Sequence, residues 1–211
     1  MNRPRLLDLF SGAGGSAVGY ARAGFEVVGI DLRSQPHYPF EFHQADALTY
    51  PLDGFDAIHA SPPCQAFTAY RRRGQGVGVG YPDLIGTVRV RLVRAGVPYV
   101  IENVPGAPLR NYVQLCGTGL ALHVQRHRWI ESNVPLAGVP CAHGRNHPQF
   151  PQATNRRNKR RTIEIGVWRI PLAVQQAAMG IDWMTLEELS EAIPPAYTTF
   201  IGDFLLKAVA A

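Results

Sequence analysis

The stretch from Arg5 to Asp31 limits the fold more than any other part of the chain. Arg5-Leu6-Leu7-Asp8-Leu9-Phe10 reads as a buried strand. It runs into Ser11-Gly12-Ala13-Gly14-Gly15, and Ser16 to Ala23 follows as a short helix stopped by Gly24. Phe25 to Ile30 is a second strand, and Asp31 stands at its end, 19 positions after Gly12. Gly12-Ala13-Gly14-Gly15-Ser16-Ala17 has the G-x-G-x-x-G/A form. Glycine lets the backbone come close to a ligand, and a carboxylate on the next strand tip can grip ribose hydroxyls. By itself the turn serves dinucleotides and S-adenosylmethionine equally well.

The same alternation continues downstream. Asp56-Ala57-Ile58-His59-Ala60 is strand-like, Leu84 to Ala95 is helical in pattern and closed by Gly96, and Tyr99-Val100-Ile101 is the next strand. Strands alternating with helices predict a mostly parallel sheet with helices on both faces. From residue 129 to about 171 the alternation stops, and prolines, histidines and a basic run take over. This stretch reads as an inserted subdomain. Thr185-Leu186-Glu187-Glu188 has capping-box form, and Pro195 to Ala208 reads as a terminal helix.

Two strand tips carry chemistry. Ser61-Pro62-Pro63-Cys64-Gln65 follows the third strand, at the edge where open α/β sheets bind ligands. The two prolines stiffen the backbone in front of the thiol, which suits a sulfur that must attack at a fixed place. Ile101-Glu102-Asn103-Val104-Pro105 places Glu102 at the end of the next strand, where partial desolvation raises a carboxyl pKa and suits it to hold a proton. Of the three cysteines, Cys116 and Cys141 have no comparable setting, and three cysteines form no disulfide framework.

Asp8-Leu9-Phe10-Ser11-Gly12-Ala13-Gly14-Gly15, Ser61-Pro62-Pro63-Cys64-Gln65, Glu102-Asn103-Val104 and Arg126-His127-Arg128, in that order, resemble the DNA (cytosine-5) methyltransferases. Ile193-Pro194-Pro195 is similar to the family's last motif. The resemblance implies a Rossmann-like S-adenosylmethionine-dependent methyltransferase fold. It implies methyl transfer from S-adenosyl-L-methionine to carbon 5 of a flipped-out cytosine in double-stranded DNA. Cys64 would attack carbon 6, Glu102 would bind ring nitrogen 3 and the exocyclic amine, and Arg128 with Arg126 would hold the pyrimidine oxygen. Phe10, Ser11, Gly12, Ala13, Gly14 and Gly15 would hold the amino-acid end of the cofactor. Asp31 with Leu32 would take the ribose side, Asp46 and Ala47 would flank the adenine, and Pro63 would also line the cofactor. Arg71, Arg72 and Arg73, in the counterpart of the family's mobile loop, would meet DNA phosphates. So would Arg156, Arg157, Lys159, Arg160 and Arg161. Three related readings share these motifs: an enzyme acting on RNA, one placing another group on carbon 5, and a silent DNA-binding relative.

The resemblance divides the chain into residues 1–128 for catalysis and cofactor binding, 129–171 as a reduced target-recognition subdomain, and 172–211 as helices packing back on the catalytic part. It is with the compact members encoded by bacteria and their phages, including those of restriction–modification systems. A cytoplasmic monomer is therefore expected. A net charge of +5, from 21 Lys+Arg against 16 Asp+Glu, is compatible with a polyanionic partner. The apolar runs are too short for a membrane span, and neither a span nor a signal peptide is expected. Two motifs depart from the family: Val124 stands where a glutamine is usual, and Ser190-Glu191 where Gly-Asn is usual. Cys141-Ala142-His143 with His147 offers three metal ligands within seven residues. A structural site needs a fourth, and nothing in the sequence places the one candidate, Cys116, nearby. No metal is expected.

Overall fold

The computed structural model describes residues 3–67, 82–143 and 162–211. Among them seven strands form one sheet in the order β3-β2-β1-β4-β5-β7-β6. They are β1 (Arg5–Leu9), β2 (Glu26–Asp31), β3 (Glu41–Gln44), β4 (Ala57–Ala60), β5 (Tyr99–Asn103), β6 (Val113–Leu115) and β7 (Arg128–Ser132). The helices are α1 (Gly15–Ala23), α2 (Ile85–Ala95), α3 (Leu172–Met179), α4 (Leu186–Glu191) and α5 (Pro195–Val209). Strands β1 to β5 pair in parallel, and β7 runs antiparallel to both β5 and β6.

The strand side chains alternate between two cores, as a pleated sheet requires. Leu7, Leu9, Val28, Ile30, Ile58, Ala60 and Ile101 point to one face, where α2 covers them with Ile85, Val88 and Leu92. Leu6, Val27, Ala57 and Val100 point to the other, against Ala17 and Tyr20 of α1 and Tyr197, Ile201 and Leu205 of α5. Covering both faces explains why these strands read as unbroken apolar runs. Helices α1 and α5 sit so close that a Cβ on Gly19 would stand 2.0 Å from Thr198 Oγ1. The Thr198 hydroxyl donates to the Ser16 carbonyl at 2.8 Å. No described helix is long and apolar enough to cross a membrane.

Two features depart from the sequence expectation. Strand β3, Glu-Phe-His-Gln, lies at the sheet edge with little buried surface, so no apolar run announces it. Strand β7 places residues 129–132 in the central sheet, although they were assigned to the inserted subdomain. Its Glu131 is buried, and Arg89 of α2 satisfies it through two bonds of 2.6 and 2.8 Å. That partner lies 42 residues away, so the strand's polar sequence conceals its burial.

Candidate active site

Because β1 to β5 are parallel, their C-terminal tips share one edge of the sheet. At the tip of β1, Phe10, Gly12 and Gly14 take φ of 59°, 50° and 84°. Gly14 has a second reason to lack a side chain, since a Cβ there would meet Pro39 at 2.7 Å. The turn closes through Ser11 N–H to Ile30 O at 3.0 Å and Gly14 N–H to Ser11 O at 3.2 Å. The Trp183 indole donates to Ala13 O at 2.9 Å, so the C-terminal region braces the cradle. Helix α1 opens directly onto it, and a helix N-terminus suits a carboxylate such as that of an amino-acid ligand.

Asp31 lies beside this turn. Its Oδ2 accepts the Gly12 N–H at 3.0 Å and its Oδ1 accepts the Arg33 N–H at 2.9 Å. Each carboxylate oxygen has two lone pairs, so both retain capacity for a diol. Leu32, next along, is 71% exposed. Asp46 and Ala47 follow β3, with Asp46 Oδ1 accepting the Leu48 N–H at 2.8 Å. Behind the cradle, Asp8 is fully buried and accepts the Ser16 hydroxyl at 2.7 Å. Burial, countered in part by Ser16, pushes its carboxyl up to about 8.

Cys64 follows β4 at the adjoining tip. The Ser61 hydroxyl donates to Phe10 O at 3.2 Å, which ties the cysteine turn to the cradle. The Asn103 amide donates to Pro62 O at 2.8 Å, which ties it to β5. Neither tie was assigned from sequence; Asn103 lies within the Glu102-Asn103 motif, but its contact crosses between strands. Burial raises the Cys64 thiol pKa, Arg128 and Arg126 pull it down, and Glu102 adds to the rise.

Glu102, on β5, is 5% exposed. Arg128, on β7, lies with its Nε 2.7 Å from Glu102 Oε1. Burial pushes the Glu102 carboxyl up, against the pull of Arg128 and Arg126. Cys64, Glu102 and Arg128 thus form one electrostatic unit beside the cradle. Arg126 acts on this unit through its charge, while its hydrogen bonds go elsewhere. Its Nε donates to Ala192 O at 2.9 Å and its Nη2 to Ser190 O at 2.6 Å, so it fastens the segment before α5 to the site. The Ser190 that departs from the family pattern therefore contributes a backbone carbonyl. Val124 is buried in an apolar cluster with Ala13, Met179, Ile181, Met184 and Leu189, where an amide would need partners. Arg71, Arg72, Arg73, Arg156, Arg157, Lys159, Arg160 and Arg161 lie outside the described residues.

The chain is similar to known proteins in sequence and in fold. The family model of the C-5 cytosine-specific DNA methylases matches residues 4–111. The type II methyltransferase M.HgiDI of Herpetosiphon aurantiacus is 31% identical over 150 residues, 64% of this chain and 48% of its own. The type II methyltransferase M1.HphI of Haemophilus parahaemolyticus is 31% identical over 118 residues, 46% of this chain. The chain thus spans 48% and 32% of the lengths of these two relatives. Among solved structures, an Escherichia coli prophage-encoded protein described as a DNA modification methyltransferase aligns with a TM-score of 0.65 at 13% identity, covering 99% of this chain and 100% of its own. The Entamoeba histolytica methyltransferase EhMeth aligns at 0.63 and 11% identity, covering 98% and 99%. At these identities the two structures establish a shared fold.

Proposed function

This chain belongs to the C-5 cytosine-specific DNA methylase family, and from that premise we propose that it methylates carbon 5 of cytosine in double-stranded DNA through a covalent adduct to Cys64. The observation that carries the reading is the meeting of Cys64, Glu102 and Arg128 on adjacent strand tips beside the glycine cradle. S-adenosyl-L-methionine, when bound, supplies the methyl group. Residues 10–15 would hold its amino-acid end, Asp31 and Leu32 its ribose side, and Asp46, Ala47 and Pro63 the remainder.

Cys64, as thiolate, attacks carbon 6 of a cytosine turned out of the duplex. Arg128 favours that thiolate, against the desolvation that raises the thiol. Glu102 holds a proton to higher pH than an exposed carboxyl, so it can donate to ring nitrogen 3 as electron density enters the ring. Carbon 5 then accepts the methyl group. Release of the carbon-5 proton to water, return of the ring nitrogen 3 proton to Glu102 and expulsion of the Cys64 thiolate restore the aromatic ring. Arg128 is placed to hold Glu102 and meet the pyrimidine oxygen. Arg126 acts as a positioning residue through Ser190 and Ala192. A modification enzyme acting as a monomer in the cytoplasm of a bacterial or phage-infected cell is the setting this reading implies.

The test is incubation with labelled S-adenosylmethionine and duplex DNA or transfer RNA, followed by mass spectrometry of the nucleosides. Label in 5-methylcytosine from DNA is expected. Label confined to RNA would move the substrate, and label in neither would end the reading.

A further inference from the structure

At the antiparallel end of the sheet lies a cluster that this chemistry does not use. Cys116 follows β6, His127 immediately precedes β7, and Cys141 and His143 lie on the segment that leaves β7 and folds back over the hairpin. One ligand atom from each residue lies within 4.8 Å of all the others. His127 Nε2 is 3.3 Å from Cys141 Sγ and 3.1 Å from His143 Nε2. In a tetrahedral site with two sulfur and two imidazole ligands, bonds of about 2.3 and 2.0–2.1 Å put ligand atoms roughly 3.3–3.8 Å apart. The expectation of no metal rested on Cys116 being remote. The hairpin brings it beside Cys141, and His127 completes the set that His147, outside the described residues, was considered for.

The backbone builds this arrangement. A Cβ on Gly119 would stand 2.5 Å from Pro140 O, so the returning segment lies directly on the turn after Cys116. The Ala142 N–H donates to Thr118 Oγ1 at 3.2 Å, and Thr118 Oγ1 lies 3.1 Å from Cys116 Sγ, whose thiol also reaches Gln125 O at 3.1 Å with the proton that metal binding releases. The Gln114 amide approaches Cys141 Sγ at 3.9 Å. Donors around the sulfurs are the outer shell that thiolate ligands have. Two imidazoles and two sulfurs converging on one point match the preference of zinc.

We propose that Cys116, His127, Cys141 and His143 bind a structural zinc ion that clamps the start of the segment after β7 onto the β6–β7 hairpin. Four protein ligands close the site, so it has no open position for catalysis. His127 lies between Arg126 and Arg128, and the ion holds the backbone that carries both.

The test is elemental analysis of the full chain, expressed with zinc supplementation and purified under reducing conditions. About one zinc per chain is expected from a closed four-ligand site. After exchange, cobalt(II) should give the intense visible bands of tetrahedral coordination and a thiolate charge-transfer band. Cys141→Ser and His143→Ala should each lose most of the metal. His43→Ala should retain it, and so should Cys64→Ala, which separates this site from the proposed methyl transfer. Parent protein with negligible zinc and no tetrahedral cobalt spectrum would overturn the proposal, even if the ligand variants fail to fold. So would a Cys116–Cys141 disulfide in the freshly purified chain.

Discussion

The two ends of the sheet hold together by different means. Strands β2, β1, β4 and β5 bury nearly every residue between α2 on one face and α1 with α5 on the other. Each fully buried aliphatic side chain there contributes about 1.5–3 kcal/mol, and no single polar contact decides the outcome. The β6–β7 end buries a smaller share of its strand residues, Leu115 and Ile130 chief among the apolar ones. It adds directional polar ties: Arg89 on Glu131, the Arg110 N–H on the same carboxylate at 2.7 Å, and the Cys116–His127–Cys141–His143 cluster. The proposed catalytic group spans the two, with Cys64 and Glu102 on the apolar-built part and Arg128 on the polar-built part. Loosening the second end should therefore cost chemistry before it costs the fold of the first.

Removing the proposed nucleophile tests the chemistry alone. Cys64→Ala should lower methyl transfer by roughly 10³-fold or more, since positioning without the covalent step remains. S-adenosylmethionine affinity by calorimetry should stay within about twofold, because the thiol makes no part of the cradle. Substantial residual transfer would remove Cys64 from the reaction. Glu131→Ala strikes the polar end and takes the acceptor from the half-buried Arg89 and from the Arg110 N–H, at a cost of up to about 3–5 kcal/mol. Denaturant unfolding reads that loss. A change under about 1 kcal/mol would mean that the pair is no more than a surface ion pair.

Asp31→Ala acts at the parallel end. It removes the acceptor of the Gly12 N–H and the proposed ribose contact, and should weaken S-adenosylmethionine binding by about 1–3 kcal/mol in calorimetry. Unchanged affinity would place the ribose elsewhere. The remaining effect is a pH dependence. Asp8 titrates at about 8 in the fold against an ordinary value near 3.8, so between those pH values the folded chain holds a proton that the unfolded chain has lost. Stability from this group is greatest below about pH 4 and falls as pH rises toward 8, by at most about 1.4 kcal/mol per unit. Comparison with Asp8→Asn isolates this contribution from His59, which lies opposite Asp8 in the β1–β4 register and is itself pushed down to about 3 by burial. The stability difference should move in the variant's favour as pH rises through that range. A difference that is flat with pH would show that Asp8 is ionised in the fold.

What the sequence determined by itself was the parallel half and its chemistry-bearing tips. Apolar runs ending in Gly, Pro, Asp or Glu announce β1, β2, β4 and β5, because strands covered on both faces must be apolar throughout. The capping box appears as read, with Thr185 and Glu188 each binding the other's backbone N–H. The sidedness of the site then follows from parallel strands alone. What only the tertiary structure decided lies where polar groups satisfy one another across long separations. Glu131 can be buried because Arg89 reaches it, so β7 reads as loop until the fold is known. Arg126 faces the carbonyls of Ser190 and Ala192, 64 and 66 residues on. Cys116 and His127 meet Cys141 and His143 because a hairpin and the segment returning over it close the distance. Burial of apolar groups leaves a local periodic trace in sequence; satisfaction of polar groups depends on where a distant partner arrives, and only the folded chain brings it there.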